Sequence, residues 1–287
     1  MTNRGEIRYS IAQMSVLWIL FTAYAWMVTA TAFTCHYVLF LLIRPFSKDS
    51  QWQSIKLTWP CIRAGFFLCG FRLTAEGTEN LPSKGPFILV SNHQSHLDIL
   101  MYLKCIPRKF AFVAKKELLQ VPILGWDIQG QGHISIDRSD ARGAVAELKR
   151  LEDLIVKGKS VLLFAEGTRS LDGRIGLFKK GAFVMAVHTG VPIIPCFIQG
   201  TGYILNKTSM KMRPGSVHVV IGKPQAVRQE DGPQAKGQAT QLMHSAREWM
   251  LDQQKRFFEA HTQYPWGNPK HLEVPIPSPE SHTPVQS

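Results

Sequence analysis

Between Tyr9 and Ile43 the chain carries 35 consecutive residues without Asp, Glu, Lys or Arg, rich in Leu, Phe, Trp and Val. A helix of that length measures about 52 Å, against ~30 Å for the hydrocarbon core of a bilayer. Two arrangements accommodate it: one tilted span with interfacial ends, or a bent, re-entrant segment. Trp18, Tyr24, Trp26 and Tyr37 suit the interface. The competing reading is a cleaved signal peptide, with Arg4 and Arg8 as its charged head and Thr29–Ala32 near a cleavage site. The run continues past that point to Ile43, longer than such a peptide needs, which favours a retained anchor. Basic residues are denser after the run (Arg44, Lys48, Lys56, Arg63) than before it (Arg4, Arg8). If the segment spans once, this places the main domain on the cytoplasmic side of an inner membrane. Residues 51–71 mix Trp52, Ile55, Leu57, Trp59, Phe66 and Phe67 with basic side chains. That stretch either lies along a membrane surface or packs on the domain as an ordinary amphipathic helix.

The remainder reads differently. In 287 residues, 33 Lys and Arg against 21 Asp and Glu give a net charge of +12, which favours an anionic partner: nucleic acid, an acidic membrane surface or a phosphorylated substrate. No recognised nucleic-acid motif accompanies the charge. With 45% hydrophobic residues the chain is not intrinsically disordered. The five cysteines form no Cys-x-x-Cys pair, so neither a disulfide framework nor a zinc ribbon is expected. Beyond residue 75, strands alternate with helices. Strands are expected at 87–90, 109–114, 133–137, 161–164, 193–198 and 217–222, and amphipathic helices at 142–157 and 238–258. This pattern predicts an α/β fold: a mixed, largely parallel sheet flanked by helices, with an N-terminal membrane-associated helical segment. Three parts are expected: anchor and interfacial helices over 1–75, a catalytic domain over 76–260, and a Pro-rich mobile tail over 261–287.

Two stretches follow apolar strands directly, where α/β folds place reactive groups. The first is Ser91-Asn-His-Gln-Ser-His-Leu-Asp98. On one continuous helix, residues five apart diverge by about 140°. His93 and Asp98 therefore meet only if His93 lies in the loop and Ser95 caps a helix whose first turn holds Asp98. Such a contact fixes the imidazole tautomer and suits a general base. Taken alone, His-x4-Asp reads more simply as a loop histidine and a capping aspartate. The second stretch is Phe164-Ala-Glu-Gly-Thr-Arg-Ser170. Gly167 allows close backbone approach, Thr168 offers a hydroxyl, and Arg169 presents a planar fork matched to phosphate. Other chemistries fail: there is no Gly-x-Ser-x-Gly elbow, and Gly158-Lys-Ser160 lacks the first P-loop glycine, having Asp153 there. His93, His96 and His133 make no convincing metal set, and no metal is expected.

In order, these blocks resemble the glycerolipid acyltransferase family, most closely its lysophosphatidic acid acyltransferases. Asn92–Asp98 is similar to the family's first motif, Gly132–Arg138 to the second, Glu166–Ser170 to the third and Val191–Pro195 to the fourth. Lys115–Leu118 and Phe178–Phe183 also resemble family segments, and the likeness spans about residues 80–225. Ala165 departs from the pattern, since the family usually has proline there; the expected effect is a looser backbone with no reacting group lost.

The resemblance implies an acyl transfer from a thioester donor to the free hydroxyl of 1-acyl-sn-glycerol-3-phosphate (lysophosphatidic acid), giving phosphatidic acid; the alternatives are acylation of another lysophospholipid or of glycerol-3-phosphate, and, from another class, a non-catalytic basic protein that binds membrane surfaces. It puts His93 and Asp98 at the catalytic positions, with Arg169, Arg138 and Lys115 around the acceptor phosphate. Glu166, Gly167 and Thr168 shape that pocket. No cofactor is implied; acyl-CoA or acyl carrier protein serves as co-substrate, and membrane lipids are the surroundings.

Overall fold

The computed structural model describes residues 4–48, 50–136, 141–264 and 266. Its centre is a seven-stranded sheet in the order β1-β7-β6-β2-β5-β3-β4. The strands are β1 (Phe71–Glu76), β2 (Ile88–Ser91), β3 (Phe110–Lys115), β4 (Ile134–Ile136), β5 (Ser160–Phe164), β6 (Ile193–Gln199) and β7 (Gly215–Ile221). Strands β6, β2, β5, β3 and β4 run parallel, whereas β7 is antiparallel to β6 and β1 parallel to β7. The sheet is thus mixed and largely parallel. Side chains alternate between its two faces: Leu89 and Leu162 join one apolar cluster, Ile88, Val90 and Val161 the other.

Helices cover both faces. They are α1 (Arg4–Ile43), α2 (Ser50–Leu68), α3 (Leu97–Cys105), α4 (Leu124–Gly130), α5 (Ala141–Val156), α6 (Gly181–Thr189), α7 (Thr201–Ile204) and α8 (Gly232–Ala260). Residues of α1 to α4 pack with the first cluster, residues of α5, α6 and α8 with the second. The sequence pattern did not anticipate β1, whose six residues expose most of their side chains and depend on pairing with β7, more than 140 positions away.

The uncharged run lies within one uninterrupted helix. One side of it is docked on the domain. The Thr22 hydroxyl accepts from Met212 N, Trp26 Nε1 donates to Met210 O, and Tyr37 packs on Trp126. Phe40 is buried, close enough to Gly130 that a Cβ there would lie 3.0 Å from its ring. The other side exposes Leu17, Ile19, Leu20, Met27 and Leu42. Helix α2 lies against α1 and divides its own surface: Phe66 is buried in the core while Phe67 is 83% exposed. Apart from residues 261–264 and 266, the C-terminal stretch expected as a tail lies outside the described residues.

Candidate active site

The parallel strands β2, β5 and β6 end along one edge of the sheet, and β2 lies between the other two. The chain leaves β2 toward β3 on one side, while β5 connects past β2 to β6 on the other, so a crevice opens at this reversal of direction. The site is built in that crevice.

Asn92 anchors the first loop. Its Nδ2 donates to Ile198 O at 2.8 Å and its Oδ1 accepts from Ile198 N at 2.9 Å, so a side-chain amide prolongs the β2–β6 ladder. His93 follows, its ring stacked on Phe164 with centroids 3.8 Å apart and planes 12° from parallel. His93 Nδ1 lies 2.7 Å from Asp98 Oδ2. The same Oδ2 accepts the backbone N–H groups of Gln94 at 2.7 Å and Ser95 at 3.1 Å, and Oδ1 accepts the Thr201 hydroxyl. Every partner of this wholly buried side chain is a donor, as an acceptor-only carboxylate requires. Nδ1 therefore carries the ring proton, and Nε2 is left as the acceptor. The geometry differs in detail from the expected cap. Helix α3 starts at Leu97 with His96 at its boundary; the Ser95 hydroxyl accepts the Leu97 N–H at 3.3 Å and donates to Leu205 O. The N–H groups of the loop are satisfied mainly by Asp98 reaching back.

The second loop is laced to the first. Ser170 N donates to His93 O at 2.7 Å, and His93 N donates to Glu166 Oε1 at 3.0 Å. Glu166 Oε2 accepts Gly176 N, and Arg247 of α8 braces the same loop through the Gly176 carbonyl. Burial pushes the Glu166 carboxyl up to about 7, against the opposing effect of those two N–H donors. Gly167 has φ +68, a left-handed conformation that favours glycine, and it faces the flexible Lys179 chain. The Ala165 N–H donates to Ser91 O at 3.0 Å, a bond proline would forfeit.

His93, Asp98, Glu166, Gly167, Thr168 and Arg169 thus come together at the ends of β2 and β5. Arg169 is half-buried, and its charge reaches His96. Although the His96 residue is exposed, desolvation of its ring, then Arg169 and then His93, push its pKa down to about 4, so it is neutral at pH 7. Lys115 ends β3 on the same edge, but β5 separates it from β2, and its ammonium pairs with Glu117 at 2.7 Å. Arg138 lies outside the described residues. His133 is away from this loop pair, stacked on Phe112 of β3, and among the described residues no group of three or more His, Cys, Asp or Glu could hold a metal ion.

Several residues of the site carried no signal in the sequence. Gln94 Nε2 donates to Gln199 Oε1, Gly200 N donates to Gln94 Oε1, and Thr201 holds Asp98. Lys207 donates to Thr168 Oγ1 at 3.0 Å and to Arg169 O at 2.8 Å. The one available cue was positional: Gln199–Thr201 is a third loop leaving a buried strand at this edge.

A model of the acyltransferase family matches residues 72–199. Over 186 residues the chain is 35% identical to the 1-acyl-sn-glycerol-3-phosphate acyltransferase of Pseudomonas aeruginosa, covering 64% of this chain and 70% of that one. The chain belongs to the acyltransferase family. It is also 45% identical, over 64% of its length, to a chloroplastic 1-acyl-sn-glycerol-3-phosphate acyltransferase of Arabidopsis thaliana, of which the match covers 51%. The chain spans about half the length of the land-plant relatives it matches, 51% and 45% for the first two. The crystal structure of the acyltransferase PlsC from Thermotoga maritima aligns with a TM-score of 0.67 at 29% identity, over 87% of this chain and 98% of that one. Family residues 72–199 include both loops described above; Thr201 and Lys207 lie beyond the matched range.

Proposed function

We propose that this acyltransferase moves a fatty acyl chain from a thioester to the free hydroxyl of 1-acyl-sn-glycerol-3-phosphate, giving phosphatidic acid. One observation carries the reading: the His93–Asp98 contact of 2.7 Å is tied by a 2.7 Å backbone bond to the loop that bears Thr168 and Arg169. A proton acceptor and a cationic cradle are thereby fixed relative to each other. His93 Nε2 takes the proton of the acceptor hydroxyl as its oxygen attacks the thioester carbonyl. The C–O bond forms, the C–S bond breaks, and the proton passes from Nε2 to the departing thiolate. Asp98 keeps Nδ1 protonated and stabilises the imidazolium. Because the thioester is already activated, no covalent acyl-enzyme is needed. Positioned proton transfer contributes ~10²–10⁴-fold, and holding the acceptor phosphate contributes orientation. Arg169 and Thr168 face that phosphate, with Lys115 and Arg138 assigned to its surroundings by family resemblance.

Coenzyme A or acyl carrier protein delivers the acyl chain, and the setting is a membrane. The domain flanks α1 from Thr22 to Phe40, about 27 Å of helix. The uncharged residues N-terminal to that contact, 9–21, would reach only about 20 Å, short of the ~30 Å hydrocarbon core. With the exposed apolar sides of α1 and α2, this supports insertion into one leaflet. Acceptor and product then stay in the lipid phase.

The test is an assay of membranes with labelled acyl donor and a panel of acceptors with and without phosphate. Wild type is expected to prefer lysophosphatidate, His93→Ala to abolish turnover, and Arg169→Ala chiefly to raise KM for the phosphorylated acceptor. Indifference to phosphate would contradict the role given to Arg169.

A further inference from the structure

Lys207 lies outside the matched family range and on neither of the two loops that carry the motif residues, yet its ammonium is fastened to the cradle. The segment that bears it runs from α7 to β7 and is closed on itself by pairing of Leu205 with Met212 and by Arg213 N donating to Ile204 O. It touches the site at three points: Thr201 on Asp98, Leu205 O under the Ser95 hydroxyl, and Lys207 on Thr168 and Arg169. Its far end is bound to α1 through Met210 and Met212. Lys207 is therefore held in place from both sides.

Its chemistry is specific. An ammonium has three N–H donors, and a hydroxyl and a carbonyl take two of them. Both acceptors are neutral oxygens, so neither cancels the charge. The Thr168 hydroxyl, accepting from Lys207, keeps its own O–H to donate outward. Arg169 adds a guanidinium at the next residue. The Lys207 ammonium thus rests against the turn that carries the Thr168 hydroxyl and Arg169.

We infer that Lys207 completes the acceptor site as a specificity residue selecting a phosphate monoester over a diester. This deepens the proposed acyltransferase reading and rests on it. A monoester carries about −1.5 to −2 charges at pH 7, its second ionisation falling near pH 6, whereas a diester carries about one. One guanidinium matches a diester; the second cation has a use only when the second charge is present.

The experiment measures kcat and KM for lysophosphatidate and for a lysophospholipid with a diester headgroup, using wild type, Lys207→Met and Lys207→Arg in mixed micelles. The ratio of the two kcat/KM values, monoester over diester, is expected to fall about 10- to 100-fold in Lys207→Met, the worth of one charge-assisted hydrogen bond. Most of that loss is expected in KM, and Lys207→Arg should keep most of the ratio. For wild type, KM for lysophosphatidate should drop as pH rises from 5.5 to 7.5, and Lys207→Met should flatten that trend. An unchanged ratio, or an equal fall in kcat on both acceptors at constant KM, would reduce Lys207 to a brace for the turn and overturn the inference. Should unsubstituted enzyme acylate no lysophospholipid, the acyltransferase reading fails and takes this one with it; that arm contains no substitution, so the two failures are told apart.

Discussion

The described residues hold two buried histidine–aspartate contacts, and they are built differently. His93 and Asp98 meet at 2.7 Å, with two backbone N–H groups and one hydroxyl filling the rest of the carboxylate. His36 of α1 lies 3.6 Å from Asp127 of α4, and the Gln131 amide nitrogen stands 2.7 Å from the His36 ring while donating to Asp127. Burial pushes Asp127 up to about 6, with only the Gln131 hydrogen bond opposing it. The first pair sits where β2 ends beside β5 and β6; the second fastens the apolar helix to the domain. Proximity of an imidazole and a carboxylate therefore does not make a base. What distinguishes the pairs is how many donors pin the carboxylate.

The comparison breaks most visibly at the histidines. His93→Ala is expected to lower turnover by ~10²–10⁴-fold or more with the fold retained, as read by labelled acyl transfer and circular dichroism. His36→Ala should leave turnover within a few-fold and loosen α1 instead, detected as faster proteolysis near the helix. Equal loss of activity in both would erase the distinction. At the carboxylates, Asp98→Asn keeps an acceptor for the loop N–H groups but loses the charge beside His93 Nδ1, and should destabilise by roughly 1–3 kcal/mol. Asp127→Asn should stay within about 1 kcal/mol, and paired denaturant titrations decide.

Thr201→Val removes one donor from Asp98 and should cut kcat about 10-fold; Thr201→Ser should restore it. A smaller effect appears in pH dependence. Glu166 is raised from 4.5 to about 7, so its contribution to stability is full below pH 4.5 and is lost as pH rises through 7. Asp127, raised from 3.8 to about 6, loses its contribution as pH rises through 6. Relative to Glu166→Gln, wild type should therefore lose Tm between pH 5 and 7.5; a constant difference would refute the assignment. Least of all, Ala165→Pro deletes the bond to Ser91 O and should cost about 1 kcal/mol.

Much of the scaffold was legible because strands β2, β5 and β6 are short apolar runs whose ends carry polar loops, a pattern local to each segment. His93 and Asp98 stood out for the same reason, five residues apart in one loop. The rest was not local. Strand β1 takes its stability from β7, Thr201 reaches Asp98 across 103 positions, and Lys207 reaches Thr168 across 39. Lys115, grouped with the cradle by resemblance, ends on the same sheet edge yet pairs with its neighbour Glu117.

By itself the sequence determined the periodicities: which runs bury both faces, where polar loops interrupt them, and that one long run from Tyr9 to Ile43 has no charge to keep it in water. Those follow from side-chain chemistry at fixed spacing, which needs no partner. Only the tertiary structure decided that one long helix is docked along a side, that four donors from two segments surround Asp98, and that a lysine beyond the family motifs sits on the arginine turn. Hydrogen bonds act over about 3 Å, and chain separation says nothing about which groups come that close until strand order sets them along one edge.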